Sequence, residues 1–184
     1  LVQYLGENCL NRGEAGALLS GITLDTKNFV LKTGVRTFEA AAYLRRRGAD
    51  TVEVKRMFSD SIDAYKKKYE IVSNAEISDN CAIASAREEF SDVRVISAQA
   101  ADELLSIQGV KASFVIFPSG GQVNISARSL GEVNVQLIME ALGGGGHLTM
   151  AATALAGVGI GAGRRVLEGA IGNVMERALP VKDS

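Results

Sequence analysis

A chain of 184 residues is long enough for one domain or one and a half, and 47% hydrophobic content is enough to bury a core. The formal net charge of −1 disfavours contact with the many phosphates of a long nucleic acid, which usually takes a basic surplus, and favours a small or short anionic ligand. Cys9 and Cys81 have neither metal-ligand spacing nor the numbers for a disulfide framework, so they read as reduced thiols in a cytosolic setting.

In chain order, residues 1–7 read as the end of a helix. Residues 14–24 (EAGALLSGITL) are apolar on most sides and predict a buried helix that stops at DTKNF. Residues 37–47 predict an amphipathic helix with Thr37 as its N-cap and Gly48 as its stop. Asp50 or Thr51 then caps VEVKRMFSD. The three arginines before Gly48 sit where cations offset the negative end of a helix dipole. The charged stretch 61–74 predicts a connector helix with Lys66, Lys67 and Lys68 on a solvated face.

From Cys81 the pattern changes. CAIASA and DVRVIS are short and β-branched and read as strands. SAQAADELLSIQG reads as a helix capped by Ser97 and ended by Gly109. ASFVIFP and GQVNISARS read as strands joined by a hairpin turn at SGG. VNVQLIMEALGG is a further helix with a glycine stop, and 162–179 has helical spacing. The expected fold class is therefore α/β: a helical region over 1–60, a connector helix over 61–77, and a mixed-sheet α/β lobe over 78–184. The uncharged stretch 148–163 falls short of the about 20 apolar residues that a membrane-spanning helix needs.

ALGGGGHLTMAA, residues 141–152, holds four consecutive glycines and the only histidine. A segment without side chains can present several backbone N–H groups to one anion, and a helix starting near 148–150 would add its own free N–H groups. His147 could donate to a phosphate oxygen. Just upstream, Arg128 offers a planar fork of donors and Ser129 a hydroxyl where a strand ends. If the two segments face each other, Arg128, Ser129 and His147 form one anion cradle. The competing reading is a flexible connector after a helix, with a surface histidine and a surface arginine in an ion pair.

SARSLGEVNVQLIMEALGGGGHLTMAA resembles the substrate-binding lobe of the DHH phosphoesterases, whose signature is an Arg-Ser pair followed by Gly-Gly-Gly-His. The segment 14–50 is similar to the end of that family's catalytic lobe, and LDTKNF with TGVRTFEAA is closest to the membrane-anchored bacterial cyclic di-AMP phosphodiesterases. The resemblance implies a manganese-dependent hydrolase with two Mn²⁺ ions. It makes Asp25 a metal ligand and Arg128, Ser129, Gly144, Gly145, Gly146 and His147 substrate binders, with Thr26 and Asn28 beside the metal site. It also implies upstream catalytic and sensor domains, a membrane anchor outside this segment, and a cytoplasmic location for it. A homodimer is compatible with such a lobe.

The Asp-His-His triplet is missing, and one carboxylate cannot hold two metal ions. The expectation is therefore a piece that binds a cyclic dinucleotide or short nucleotide and does not hydrolyse it alone. Two other functions compete. One is an exonuclease or short-oligoribonucleotide hydrolase of the same family, disfavoured by the lack of a basic track. The other is a non-catalytic RNA-binding module, like the related lobe of alanyl-tRNA synthetases, which has no use for a metal aspartate.

Overall fold

Asn11 opens the first helix: its side chain accepts the Glu14 N–H, and the Glu14 carboxylate accepts the Asn11 N–H, a reciprocal cap. The computed structural model describes residues 9–178 and divides between residues 61 and 62 into two units, each considered by itself.

The first unit is helical. Helices α1 (Arg12–Asp25), α2 (Val35–Arg46) and α3 (Thr51–Met57) bury Ala15, Leu19, Leu44, Ala49 and Val54 against one another. Asp50 caps α3 as expected, accepting the Val52 N–H at 2.8 Å. Thr37 does not cap α2. The helix starts two residues earlier with Gly34 at the cap, and the Thr37 hydroxyl reaches back to the Gly34 N–H at 3.3 Å.

Between α1 and α2 the backbone is strained. Lys27, Asn28 and Phe29 have φ of 48°, 58° and 65°, and Lys32 has 52°. Non-glycine residues avoid this region and persist there only where their surroundings enforce it. Thr26 does the enforcing. Its hydroxyl donates to the Ile22 carbonyl and accepts the Phe29 N–H, while its carbonyl accepts the N–H groups of Val30 and Leu31, both at 2.8 Å. Stacking of the Phe29 ring on Phe38, at 5.4 Å between centroids, holds the far side of the loop.

The second unit is a six-stranded sheet with helices on both faces. It comprises α4 (Ile62–Ser73), β1 (Glu76–Ser78), β2 (Cys81–Ser85), α5 (Val93–Leu104), β3 (Ala112–Ser119), β4 (Gln122–Ser129), α6 (Val135–Glu140), β5 (Gly145–His147), β6 (Met150–Leu155) and α7 (Ile160–Ala178). The strand order is β1-β2-β3-β4-β6-β5, and only β2 and β3 run parallel, because α5 lies between them in the chain. Gly120 and Gly121, at φ 63° and 74°, make the tight β3–β4 turn that SGG predicts.

One face carries α4 and α5 over Ala82, Ala84, Val115 and Phe117. The other carries α6 and α7 over Ile83, Phe114, Ile116, Ile125 and Ala127. The helix expected as a connector packs on α5 and so belongs structurally to this unit. Asn74, just past its end, clasps both backbone groups of Ser85 at 2.9 and 3.1 Å.

The segment DVRVIS is not a strand. It is the first half of α5, and the helix begins at Val93, not at Ser97. Val93, Ile96, Ala100, Ala101 and Leu104 recur at helical spacing and all face the core. Burial of that stripe outweighs the mild β preference of Val and Ile.

Candidate functional site

Register places the site. Arg128 on β4 lies opposite Met150 on β6, which lies opposite His147 on β5. Directly opposed residues of adjacent strands point to the same face, so Arg128, Met150 and His147 form one cross-strand row. The Cα atoms of Arg128 and His147 are two strand spacings apart, about 9.5 Å. Val115 lies opposite Ser126 and packs in the cluster beneath α5, so the row belongs to the α5 face. α5 covers that face over β3 and β4. Beyond it, Met150, Ala152, Ala154 and His147 are exposed.

The Arg128 side chain is 10% exposed. Its Nη1 donates to the Ala127 carbonyl at 2.9 Å, and its Nε lies 3.3 Å from Oδ1 of Asp102 on α5. The Nε contact satisfies charge but not hydrogen-bond alignment, so among the described residues this buried donor has no aligned acceptor. The guanidinium is thus drawn towards α5, and Met150 stands between it and the imidazole. An anion held by both would sit above the flexible Met150 side chain.

Ser129 is not brought into this row. It faces the opposite side of the sheet, opposite Ala112, and is buried. Its hydroxyl donates to the Leu148 carbonyl at 3.3 Å and accepts the Gly131 N–H at 3.2 Å. Its backbone N–H donates to Thr149. Ser129 fixes the β5–β6 turn against the end of β4, and so sets where His147 emerges.

The glycines do not form a loop before a helix, as expected, but pass into the edge strand β5 of a hairpin. Three of them answer to internal geometry. Gly143 has φ 77°, and it and Gly144 close α6 through bonds to the Glu140 and Met139 carbonyls. A Cβ on Gly144 would collide with the Ala152 carbonyl and Thr153, and one on Gly146 with Ala151 and the Met150 carbonyl. Thr153 adds a bond to the Leu142 carbonyl at 2.9 Å. Gly145 has open space where a Cβ would be and no positive φ, so neither constraint applies to it.

Asp25 is the exposed last residue of α1, at the mouth of the strained turn. Among the described residues no three His, Cys, Asp or Glu side chains gather as a metal site. Asp25 alone therefore offers one carboxylate towards the two-manganese centre that the family resemblance implies.

The DHHA1 domain matches residues 79–170, which span β2 to most of α7 and include the whole row. The chain belongs to the DHHA1 domain family. It is 51% identical over 170 residues to the cyclic-di-AMP phosphodiesterase GdpP of Geobacillus thermodenitrificans, covering 91% of this chain and 26% of that protein. It is 52% identical over 160 residues to the cyclic-di-AMP phosphodiesterase PdeA of Listeria monocytogenes, covering 86% of this chain and 24% of that one. The chain therefore spans about a quarter of these relatives. Its fold is that of an exopolyphosphatase-related protein from Bacteroides fragilis, with a TM-score of 0.79 at 23% identity over 89% of this chain and 51% of that one. No helix among the described residues is long and apolar enough to cross a membrane.

Sequence reasoning passed over two features beside the candidate row. Asp102 gave no signal, because its partner lies 26 residues away on another element. Asn124 and Ser126 did give one: they alternate with Val123, Ile125 and Ala127, so β4 carries a polar line on the face of Arg128.

Proposed function

We propose that this DHHA1 chain is the nucleotide-holding part of a cyclic-dinucleotide phosphodiesterase, with Arg128 and His147 gripping a phosphate over the edge strands and Gly145 leaving room beside it for the rest of the nucleotide. The observation that carries the reading is the shared row: a buried guanidinium with an unaligned N–H at the edge of α5, and an exposed imidazole on the strands beyond it. The activity of the relatives, cyclic-di-AMP phosphodiesterase, supports cyclic di-AMP as the substrate and linear pApA as the product.

Gly144 and Gly146 serve by letting β5 approach β6 closely, and Ser129 by holding the turn, so their part in binding is indirect. Asp25 is one ligand of a manganese centre whose other ligands and hydrolytic water lie outside this chain. Upstream domains would supply them, together with the sensor and membrane-anchoring segments. The near-neutral charge favours a dinucleotide over a long strand.

The test pairs binding with turnover. The chain is incubated with Mn²⁺ and cyclic di-AMP, and the mixture is analysed for pApA. Calorimetry then measures cyclic di-AMP and pApA binding to the wild type, Arg128→Ala and His147→Ala. Binding without hydrolysis is expected, with each substitution weakening binding by about 1–3 kcal/mol, the range for hydrogen bonds to charged groups. Robust turnover by the chain alone, or variants that bind like the wild type, would reject the reading.

A further inference from the structure

We infer that the bare face of β6 beside the Arg128–His147 row is a nucleobase shelf, built for a base that carries an exocyclic amino group. The inference rests on the phosphate reading above and adds a second subsite to it.

The floor comes first. Ala152 and Ala154 point to the α5 face and are exposed, and Gly145, opposite Ala152 on the edge strand, has open space where a Cβ would be. Two strands thus present a surface with nothing taller than a methyl group. A planar ring can lie flat on such a surface and bury apolar area on both partners.

The wall is the polar line of β4. Ser126 lies opposite Ala152 and Asn124 opposite Ala154, and they are only 8% and 7% exposed. The Ser126 hydroxyl has no hydrogen-bond partner among the described residues. Its oxygen is not sealed from solvent, unlike Ser97 Oγ and Arg128 Nε, so a ligand can reach it. Asn124 donates through Nδ2 to the carbonyls of Ser119 and Gln122 at 3.1 and 3.3 Å. Those two bonds fix which way its amide is turned, and they leave Oδ1 as an unused acceptor. An acceptor beside a hydroxyl matches an amino group beside a ring nitrogen. A carbonyl in place of the amino group would face Oδ1 with a second acceptor.

The spacing fits one molecule. Ser126 and Ala152 lie two residues along their strands from Arg128 and Met150, about 6.8 Å. A phosphate in the Arg128–His147 row and a base on the next row are separated by the reach of one ribose.

Calorimetric titration of this chain with ribose 5-phosphate, AMP and IMP tests the shelf, with circular dichroism to verify folding. AMP is expected to bind about tenfold tighter than ribose 5-phosphate and about fivefold tighter than IMP, in which oxygen replaces the amino group. Ala152→Tyr places a good strand former at an exposed strand position. It is expected to abolish the advantage of AMP and leave ribose 5-phosphate binding unchanged. Ser126→Ala is expected to lower AMP affinity about fivefold, the loss of one hydrogen bond, and to spare ribose 5-phosphate.

AMP binding no tighter than ribose 5-phosphate, or an Ala152→Tyr protein that binds AMP like the wild type, overturns the shelf. IMP binding as tightly as AMP overturns its amino-group preference. Arg128→Ala separates the two readings: if that variant binds ribose 5-phosphate like the wild type, the phosphate site fails. The shelf is then decided by the difference between AMP and ribose 5-phosphate alone.

Discussion

A Cβ on Gly144 or Gly146 would overlap the backbone of β6, and Gly146 also holds φ 152°, which side chains rarely adopt. Gly145 has neither constraint. The three adjacent glycines therefore separate by experiment. Gly144→Ala and Gly146→Ala are expected to lose about 1–3 kcal/mol or more of stability, the cost of overpacking, read as a lower midpoint in urea. Gly145→Ala is expected to leave that midpoint unchanged and to weaken nucleotide binding, because its methyl group would occupy the space left for the ligand.

Arg128 gives a second prediction at this scale. Asp102 is the charged partner of its guanidinium, and the two side chains are 10% and 31% exposed. Removing one member of a largely buried pair strands the other charge and costs about 3–5 kcal/mol when burial is complete, less with Asp102 this accessible. Asp102→Ala is expected to destabilise the chain by about 2 kcal/mol. The double variant with Arg128→Ala is expected to lose less than the two single losses combined, as a double-mutant cycle in denaturant would measure. Additive losses would mean that the two groups do not act as a pair.

At the scale of elements, α5 shows both what the sequence discloses and where it misleads. Strands β3 and β4 and the turn between them were legible because alternation and a Gly-Gly pair are local signals. The start of α5 was not, because Val93, Val95 and Ile96 carry a β preference that only the cluster beneath the helix overrides. Ser97 looked like a cap for the same reason. It lies inside the helix, fully buried, and its hydroxyl has no hydrogen-bond partner among the described residues. Ser97→Ala is therefore expected to raise stability by about 1 kcal/mol, by removing an unsatisfied hydroxyl and adding a better helix former. A fall in the urea midpoint would show that the hydroxyl has a structural role.

The candidate site was half legible. Arg128 and His147 could be found as chemistry-bearing residues, and register then placed them in one row. The glycine-to-helix transition expected after His147 was wrong in kind. Backbone approach of β6 is a long-range fact, and four glycines read alike in a sequence whether they serve a loop or an edge strand. The fate of Ser129 was equally hidden, since a strand's last residue can face either way until its partner strand is known.

Taken whole, the chain has its apolar clusters unevenly divided. The second unit buries hydrophobic clusters on both faces of its sheet, whereas the first buries Ala15, Leu19, Leu44, Ala49 and Val54 among three helices. Small units bury too little surface to offset the entropy of ordering the chain, and larger ones fold independently. Every residue of the proposed phosphate site and shelf lies in the second unit. A chain of residues 62–184 is therefore expected to fold cooperatively, with a single unfolding transition by circular dichroism, and to bind AMP with the affinity of the full chain. Residues 9–61 alone are expected to give no cooperative transition. If the 62–184 piece folds but loses AMP, the grip needs side chains from the helical unit, and the sheet face alone is not the binding site.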